Sequence, residues 1–226
     1  MGVPCAQPVS ETTAVSVRPA GLLGTRTLPL RCRTDDDLCL RETCRQVAVR
    51  KSGVEPMPID ACTSTFAEMA ETILPHDMAR LRAALAAPFP MSSFCKDGFG
   101  VKAILSELRR SSDFSGCYVL LREGKAFYVG ISRTVVQRLR QHVTGKTHYD
   151  ASLAYQMATE KTGHKMKRAD AMQDEAVRTA FSQAKALLRD CSVAFIEIDN
   201  PLELYLFEAY CAMELDTCEW NTFRTH

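Results

Sequence analysis

The pattern of apolar and polar positions changes character part-way along the chain. From residue 34 to about residue 112 the apolar residues recur at helical intervals between breaks. "TDDDLCLRETCRQVAVRKSG" begins with Thr34 as a cap and three aspartates in the first turn, and ends at Lys51 and Gly53, which predicts a helix. After the "EPMPID" break, "TSTFAEMAETILPHDMARLRAALAAPFP" predicts two helices divided near Pro75 and closed by Pro88. "FGVKAILSELRRSS" predicts another. Residues 1–33 have prolines at 4, 8, 19 and 29 and no sustained period, so they read as a flexible leader.

From Gly116 the period shortens. "GCYVLLR" and "KAFYVGI" are apolar, β-prone runs joined by Glu123-Gly124, a hairpin signal. Thr134 with Gln137 three positions on predicts a capping box, and a helix follows. In that helix Val135, Leu139 and Val143 share the core side, while Arg138 and His142 share a neighbouring one. "ASLAYQMATEK" predicts a second helix leading into the basic loop "KTGHKMKR". Asp170 and Gln173 then read as the cap of a long helix through Leu188. "CSVAFIEI" is a third strand, and Asn200-Pro201 opens a last helix. The fold class is therefore α/β of the α+β kind. A small three-stranded antiparallel sheet flanked by helices is preceded by a mainly helical region over 34–112, either a separate recognition module or a buttress.

Composition narrows the partners only a little. The 226 residues carry a formal net charge of +1, so a polyanion would have to be held by a local basic face. The ten cysteines include no C-x-x-C pair, and no histidine lies near Cys32, Cys39 and Cys44. Reduced thiols of an intracellular protein, cytoplasmic or nuclear, are the consistent reading. No apolar run reaches the roughly 20 residues of a membrane span, so no membrane partner is expected. Arg18, Arg26, Arg31 and Arg33 against the single acid Glu11 resemble an organellar transit peptide, although a flexible leader explains them more simply.

Chemistry gathers in the C-terminal half. Gly116-Cys117-Tyr118, then Tyr128 to Ser132 as Y-V-G-I-S, then Arg138 to His142 as R-L-R-Q-H, resemble the GIY-YIG nuclease superfamily. In that pattern an arginine lies eight residues after the second glycine and a histidine four further on, and both intervals hold here. Glu208 and Asn221 match, in order, the glutamate and asparagine that the pattern places later. The resemblance covers about residues 116–223. Cys117 replaces the usual aliphatic residue, a small change for a thiol that packs as a hydrophobe. Residues 144–190 insert helices and a basic loop between the catalytic helix and the third strand.

The resemblance implies a nuclease domain over 113–226 that hydrolyses DNA to 5′-phosphate and 3′-hydroxyl ends with Mg²⁺ or Mn²⁺. It implies Tyr118 as proton acceptor, Tyr128 and His142 as its orienting partners, Arg138 on a phosphate oxygen, Glu208 as metal ligand, and Asn221 in the catalytic set. The residues themselves favour Glu208 as the ligand. Glu203 stands three positions after the Asn200 cap and reads as a capping partner. Glu208 instead lies on a stripe with Leu204, Cys211, Ala212 and Leu215, where a carboxylate needs a counter-charge.

Arg133, Arg140, Lys146, His148, Lys165, Lys167 and Arg168 are candidate contacts to nucleic acid. Asp170 and Asp174 follow the basic loop closely, so a solvated face explains its lysines as well. The rival readings are a non-catalytic nucleic-acid-binding or protein-interaction module on the same scaffold, and an RNA-directed nuclease. Branched or structured DNA is among the candidate substrates. The oligomeric state is open.

Overall fold

The computed structural model of the protein describes residues 58–164 and 167–223. The leader over 1–33, the helix expected over 34–53 and Lys165 lie outside the described residues. The first helical stretch runs through α1 (Phe66–Glu68), a π-helical turn over Met69–Ile73, and α2 (Leu74–Leu85). Thr65 and Glu68 close a reciprocal capping box at its start. The division expected near Pro75 does not occur. Pro75 sits at the start of α2, immediately after the π turn, where the backbone ladder has already changed register. Its missing N–H is absorbed there without a break.

After α2 come β1 (Phe89–Pro90), α3 (Val101–Glu107), β2 (Gly116–Arg122), β3 (Lys125–Ser132), α4 (Val135–Thr144), α5 (Ser152–Thr162), α6 (Arg168–Ala171), α7 (Glu175–Arg189), β4 (Ser192–Glu197) and α8 (Pro201–Glu214). The sheet has four strands, not the three expected, in the order β1-β4-β2-β3 and antiparallel throughout. The extra strand is two residues long and shows no alternation to read. Phe89 pairs with Val193 and stacks on Phe195, ring centroids 5.3 Å apart, while Pro90 is tolerated because β1 is an edge. The β2–β3 hairpin turns at Glu123-Gly124, both with positive φ, as a two-residue loop between twisted strands requires.

Strand β2 is an inner strand of the sheet, with every residue buried except Arg122. One face buries Tyr118, Leu120 and Val193 against α4, α5 and α7. The other buries Cys117, Val119, Val129, Ala194 and Ile196 against α2 and α8. The six cysteines among the described residues are free, and Cys117 and Cys211 pack as small apolar groups. Among the described residues no helix is long and apolar enough to cross a membrane.

Between α2 and α8 a buried acid, Asp77, lies near a half-buried one, Glu203. Asp77 is 2% exposed; one carboxylate oxygen accepts from Arg80 at 2.7 Å, and the other has no partner among the described residues. Asn200 caps α8 by accepting from the Glu203 N–H at 3.1 Å, as expected. The Glu203 carboxyl, however, turns to Asp77 and does not serve as the capping partner. Burial, and then Asp77 beside it, push Glu203 up to about 7. The neighbouring Asp77 thus favours the neutral, protonated form of Glu203.

This pair makes a prediction about stability. Glu203 has a folded pKa above its unfolded one, so its contribution is complete below about 4.5 and is lost as pH rises through about 7. Glu203→Gln retains a donor and cannot ionise. Its thermal midpoint should exceed that of wild type above neutrality, and the gap should close toward about pH 5. Parallel midpoint curves would show that Asp77 does not favour the neutral form of Glu203.

Candidate active site

The site starts from an absence of side chain. In the β2–β3 register Tyr118 faces Gly130, and the Tyr118 ring lies across that glycine. A Cβ at position 130 would fall 2.5 Å from both Cζ and Oη of the ring, well inside contact distance. Gly116 has a different reason: a Cβ there would meet the Ile196 carbonyl oxygen at 2.1 Å, so only glycine lets β4 pair closely.

Held in this way, the Tyr118 hydroxyl lies 2.8 Å from Nε2 of His142 on α4. Both side chains are essentially sealed, at 1% and 0% exposure. The second ring nitrogen of His142 meets no polar partner among the described residues. Tyr128, half-buried on β3, completes a cluster of three rings. Its centroid is 6.3 Å from that of Tyr118 and 6.1 Å from that of His142, which it meets edge-on. Val135, Val136, Leu139 and Val143 bury the rest of that side of α4.

Arg138 stands one turn before His142, half-buried, and is fixed by the start of α5. It donates to the Asp150 carbonyl at 3.0 Å and to the Ser152 hydroxyl at 2.7 Å. The electrostatics are set by a contest between burial and this guanidinium, and burial wins. It pushes the Tyr118 phenol well above its ordinary value and raises Tyr128, with Arg138 pulling both the other way. For His142 the two act together, and the imidazole is driven down to about 3. At neutral pH it is uncharged.

The start of α4 differs from expectation. Thr134 makes no cap bond; Asp113, from the loop before β2, accepts from the N–H groups of Val136 and Gln137, each at 2.9 Å. A carboxylate is the stronger cap, because the first turn presents unpaired N–H groups and positive potential. The same contact ties the chain leading into β2 to α4, so it helps fix Tyr118 relative to His142.

Asn221 is committed to backbone. Its amide accepts from Val129 N–H at 2.9 Å and donates to the Val129 carbonyl at 2.8 Å, binding the C-terminal segment to β3 between Tyr128 and Gly130. Its contacts position the strand.

Glu208 is half-buried on α8, and burial raises its pKa. It makes no ion pair among the described residues. Its charge is felt at Tyr128, whose phenol it helps to raise. No three potential ligands cluster among the described residues. A single desolvated carboxylate without a protein counter-ion fits a hard divalent cation that keeps most of its water.

The basic candidates separate into groups. Arg133 and Lys146 are exposed. Arg140 is turned onto the protein, against the Phe99 carbonyl and the Thr144 hydroxyl, both at 3.4 Å. His148 lies against Tyr149, tilted by 40° with centroids 4.1 Å apart. Lys167 and Arg168 are exposed. The long helix α7 is capped by Asp174, which accepts from Ala176 N–H at 2.7 Å, and not by Asp170 as expected. Sequence reasoning missed Asp113, Ser152 and the Tyr149 stack. Asp113 and Ser152 act across turns of the fold and leave no local pattern, whereas an exposed tyrosine beside a histidine in a basic loop was a usable signal.

The buried imidazole generates a stability prediction. Unfolded His142 takes up a proton near 6.5, while the folded side chain resists until about 3. The fold should therefore lose stability as pH falls through that window. In His142→Gln the thermal midpoint should depend less on pH between about 7 and 4 than in wild type. An unchanged slope would mean that the imidazole is solvated.

No curated protein and no solved structure matches the chain. The family model of the GIY-YIG catalytic domain matches residues 114–177, which takes in Tyr118, Tyr128, Arg138 and His142 and ends before Glu208 and Asn221. The β2–β3 hairpin, the glycine cradle and the rings beneath α4 belong to that matched stretch, and β4 pairs with it. Residues 114–177 thus match the GIY-YIG catalytic domain, the catalytic domain of a family of nucleases.

Proposed function

We propose that the protein is a divalent-metal-dependent endonuclease that hydrolyses DNA phosphodiester bonds to 5′-phosphate and 3′-hydroxyl ends. The observation that carries this reading is the sealed Tyr118–His142 hydrogen bond of 2.8 Å beside an anchored Arg138. A phenol far above its ordinary pKa does not ionise alone at neutral pH. The imidazole against its hydroxyl resists a proton through burial and then through Arg138; a phosphate on Arg138 removes the second of these, and Nε2 becomes the group to which the phenol passes its proton.

In the proposed step a water oxygen forms a bond to phosphorus as the bond from phosphorus to O3′ breaks, and the electron pair leaves with O3′. The water's proton goes to the Tyr118 oxygen while the phenol's own proton moves to Nε2 of His142. The leaving oxygen takes a proton from solvent. Tyr128 orients the attacking water. Arg138, with its fork held by Asp150 and Ser152, neutralises charge on a non-bridging oxygen. Asn221 keeps Tyr128 in place through Val129. A cation bound at Glu208 would supply further positive charge to the phosphate.

Cleavage of supercoiled, branched and single-stranded DNA and of RNA, with and without Mg²⁺, tests the whole reading. No hydrolysis of any of them would leave a binding module, and cleavage of RNA alone would change the substrate. Glu208→Gln keeps shape and removes charge, so it should abolish cleavage while metal-free DNA binding stays close to wild type; full cleavage by this variant removes Glu208 from the site. Arg138→Ala should slow turnover by on the order of 10² or more. For variants shown to be folded, Tyr118→Phe should lower the rate by roughly 10² to 10⁴, and Tyr128→Phe by less. The reverse order would make Tyr128 the proton acceptor.

A further inference from the structure

The loop after α4, Tyr155 of α5 and Arg168 of the short helix α6 build an aromatic cluster that the hydrolytic reading does not use. His148 lies against Tyr149 at 4.1 Å and near Tyr155 at 5.5 Å between centroids. The Arg168 guanidinium stands 4.7 Å over the Tyr155 ring and 5.6 Å from that of Tyr149. Tyr155 is buried and anchors the group, yet Tyr149 remains 65% exposed. A large ring fixed by two neighbours and still turned to water is an available π-face.

Position and charge say what that face would take. Asp150, the next residue, gives its carbonyl to Arg138, and Ser152 gives its hydroxyl. Thr147 braces this turn by donating to the Asp150 carboxylate at 2.7 Å and accepting from the Asp150 N–H at 3.2 Å. The stack is therefore joined through one short rigid stretch to the guanidinium assigned to the phosphate. Arg168 over the ring, and Lys146 and Lys167 exposed in the segments that carry Tyr149 and Arg168, match a polyanion in charge.

We infer that Tyr149, backed by His148, Tyr155 and Arg168, is a stacking platform for an unpaired nucleobase next to the scissile phosphate. This rests on the nuclease reading and narrows its substrate to nucleic acid with a single-stranded stretch or a splayed base at the cut. A base inside a duplex has both faces covered by its neighbours; only an unpaired one can lie on Tyr149. Aromatic and arginine planes together are how proteins hold such bases without reading sequence.

The test is binding of the full chain in EDTA to labelled single-stranded DNA, single-stranded RNA and blunt duplex DNA. Tyr149→Ala should weaken single-strand binding by about 5- to 100-fold and leave duplex binding within about 2-fold, on the scale that stacking of one base carries. Tyr149→Phe keeps the ring and should restore single-strand affinity. A fluorescent base analogue in the single strand should be quenched by wild type and not by Tyr149→Ala. The two single-strand arms read whether deoxyribose or ribose is preferred, and a selective loss on either supports the platform. Equal losses on single strand and duplex, or no loss on any ligand, overturn it while leaving the nuclease reading intact. A wild-type protein that binds none of the three sinks the nuclease reading, and the platform with it.

Discussion

Tyr118 can lie flat across β3 because position 130 carries no side chain, and the rest of the catalytic face is arranged around that overlap. The ring fills the space a Cβ would need, so its hydroxyl is delivered beneath α4 at hydrogen-bonding distance from His142. A residue with any side chain at 130 would have to displace the ring or part the central hairpin. In either case the imidazole would lose its only polar contact among the described residues, inside a core where an unpaired polar group is costly. The second glycine acts on the opposite side of β2, where close pairing with β4 holds the strand still. The two glycines thus serve one side chain from two directions.

The same closeness explains the electrostatics. A phenol and an imidazole sealed from water both favour their neutral forms, and Arg138 is near enough to modify that preference without reversing it. Because α5 holds the guanidinium through a carbonyl and a hydroxyl, its charge is not spent on a carboxylate. On α8 Glu208 likewise makes no ion pair with a described residue. One positive and one negative group are thus kept open by partners, or surroundings, that do not neutralise them.

What the sequence disclosed was whatever depends on short intervals. The hairpin at Glu123-Gly124, the helix bearing Arg138 and His142, the strand "CSVAFIEI" and the Asn200 cap each rest on neighbours a few residues apart, and each is where the pattern put it. The departures all come from residues distant in the chain. Asp113 takes over the cap of α4 because the approach to β2 runs past that helix end. Glu203 abandons its local partner for Asp77, more than a hundred positions away, because α2 and α8 press together over the sheet. The strand Phe89–Pro90 exists only because β4 offers an edge to it. The candidate site divides in the same way. Residue types were readable from spacing, whereas Ser152 behind Arg138, and the two bonds that turn Asn221 toward the backbone, needed the folded chain.

Those two bonds have a consequence beyond the positioning of Tyr128. Strand β3 is the outermost of the sheet, with nothing paired on its far side among the four strands. An open strand edge is a template on which another extended chain can grow, and soluble proteins obstruct such edges with a charge, a bulge or a covering segment. Here the obstruction is one amide side chain, which occupies the N–H and the C=O of Val129 together, as a neighbouring strand would. Asn221 therefore closes part of that edge as well as bracing the site.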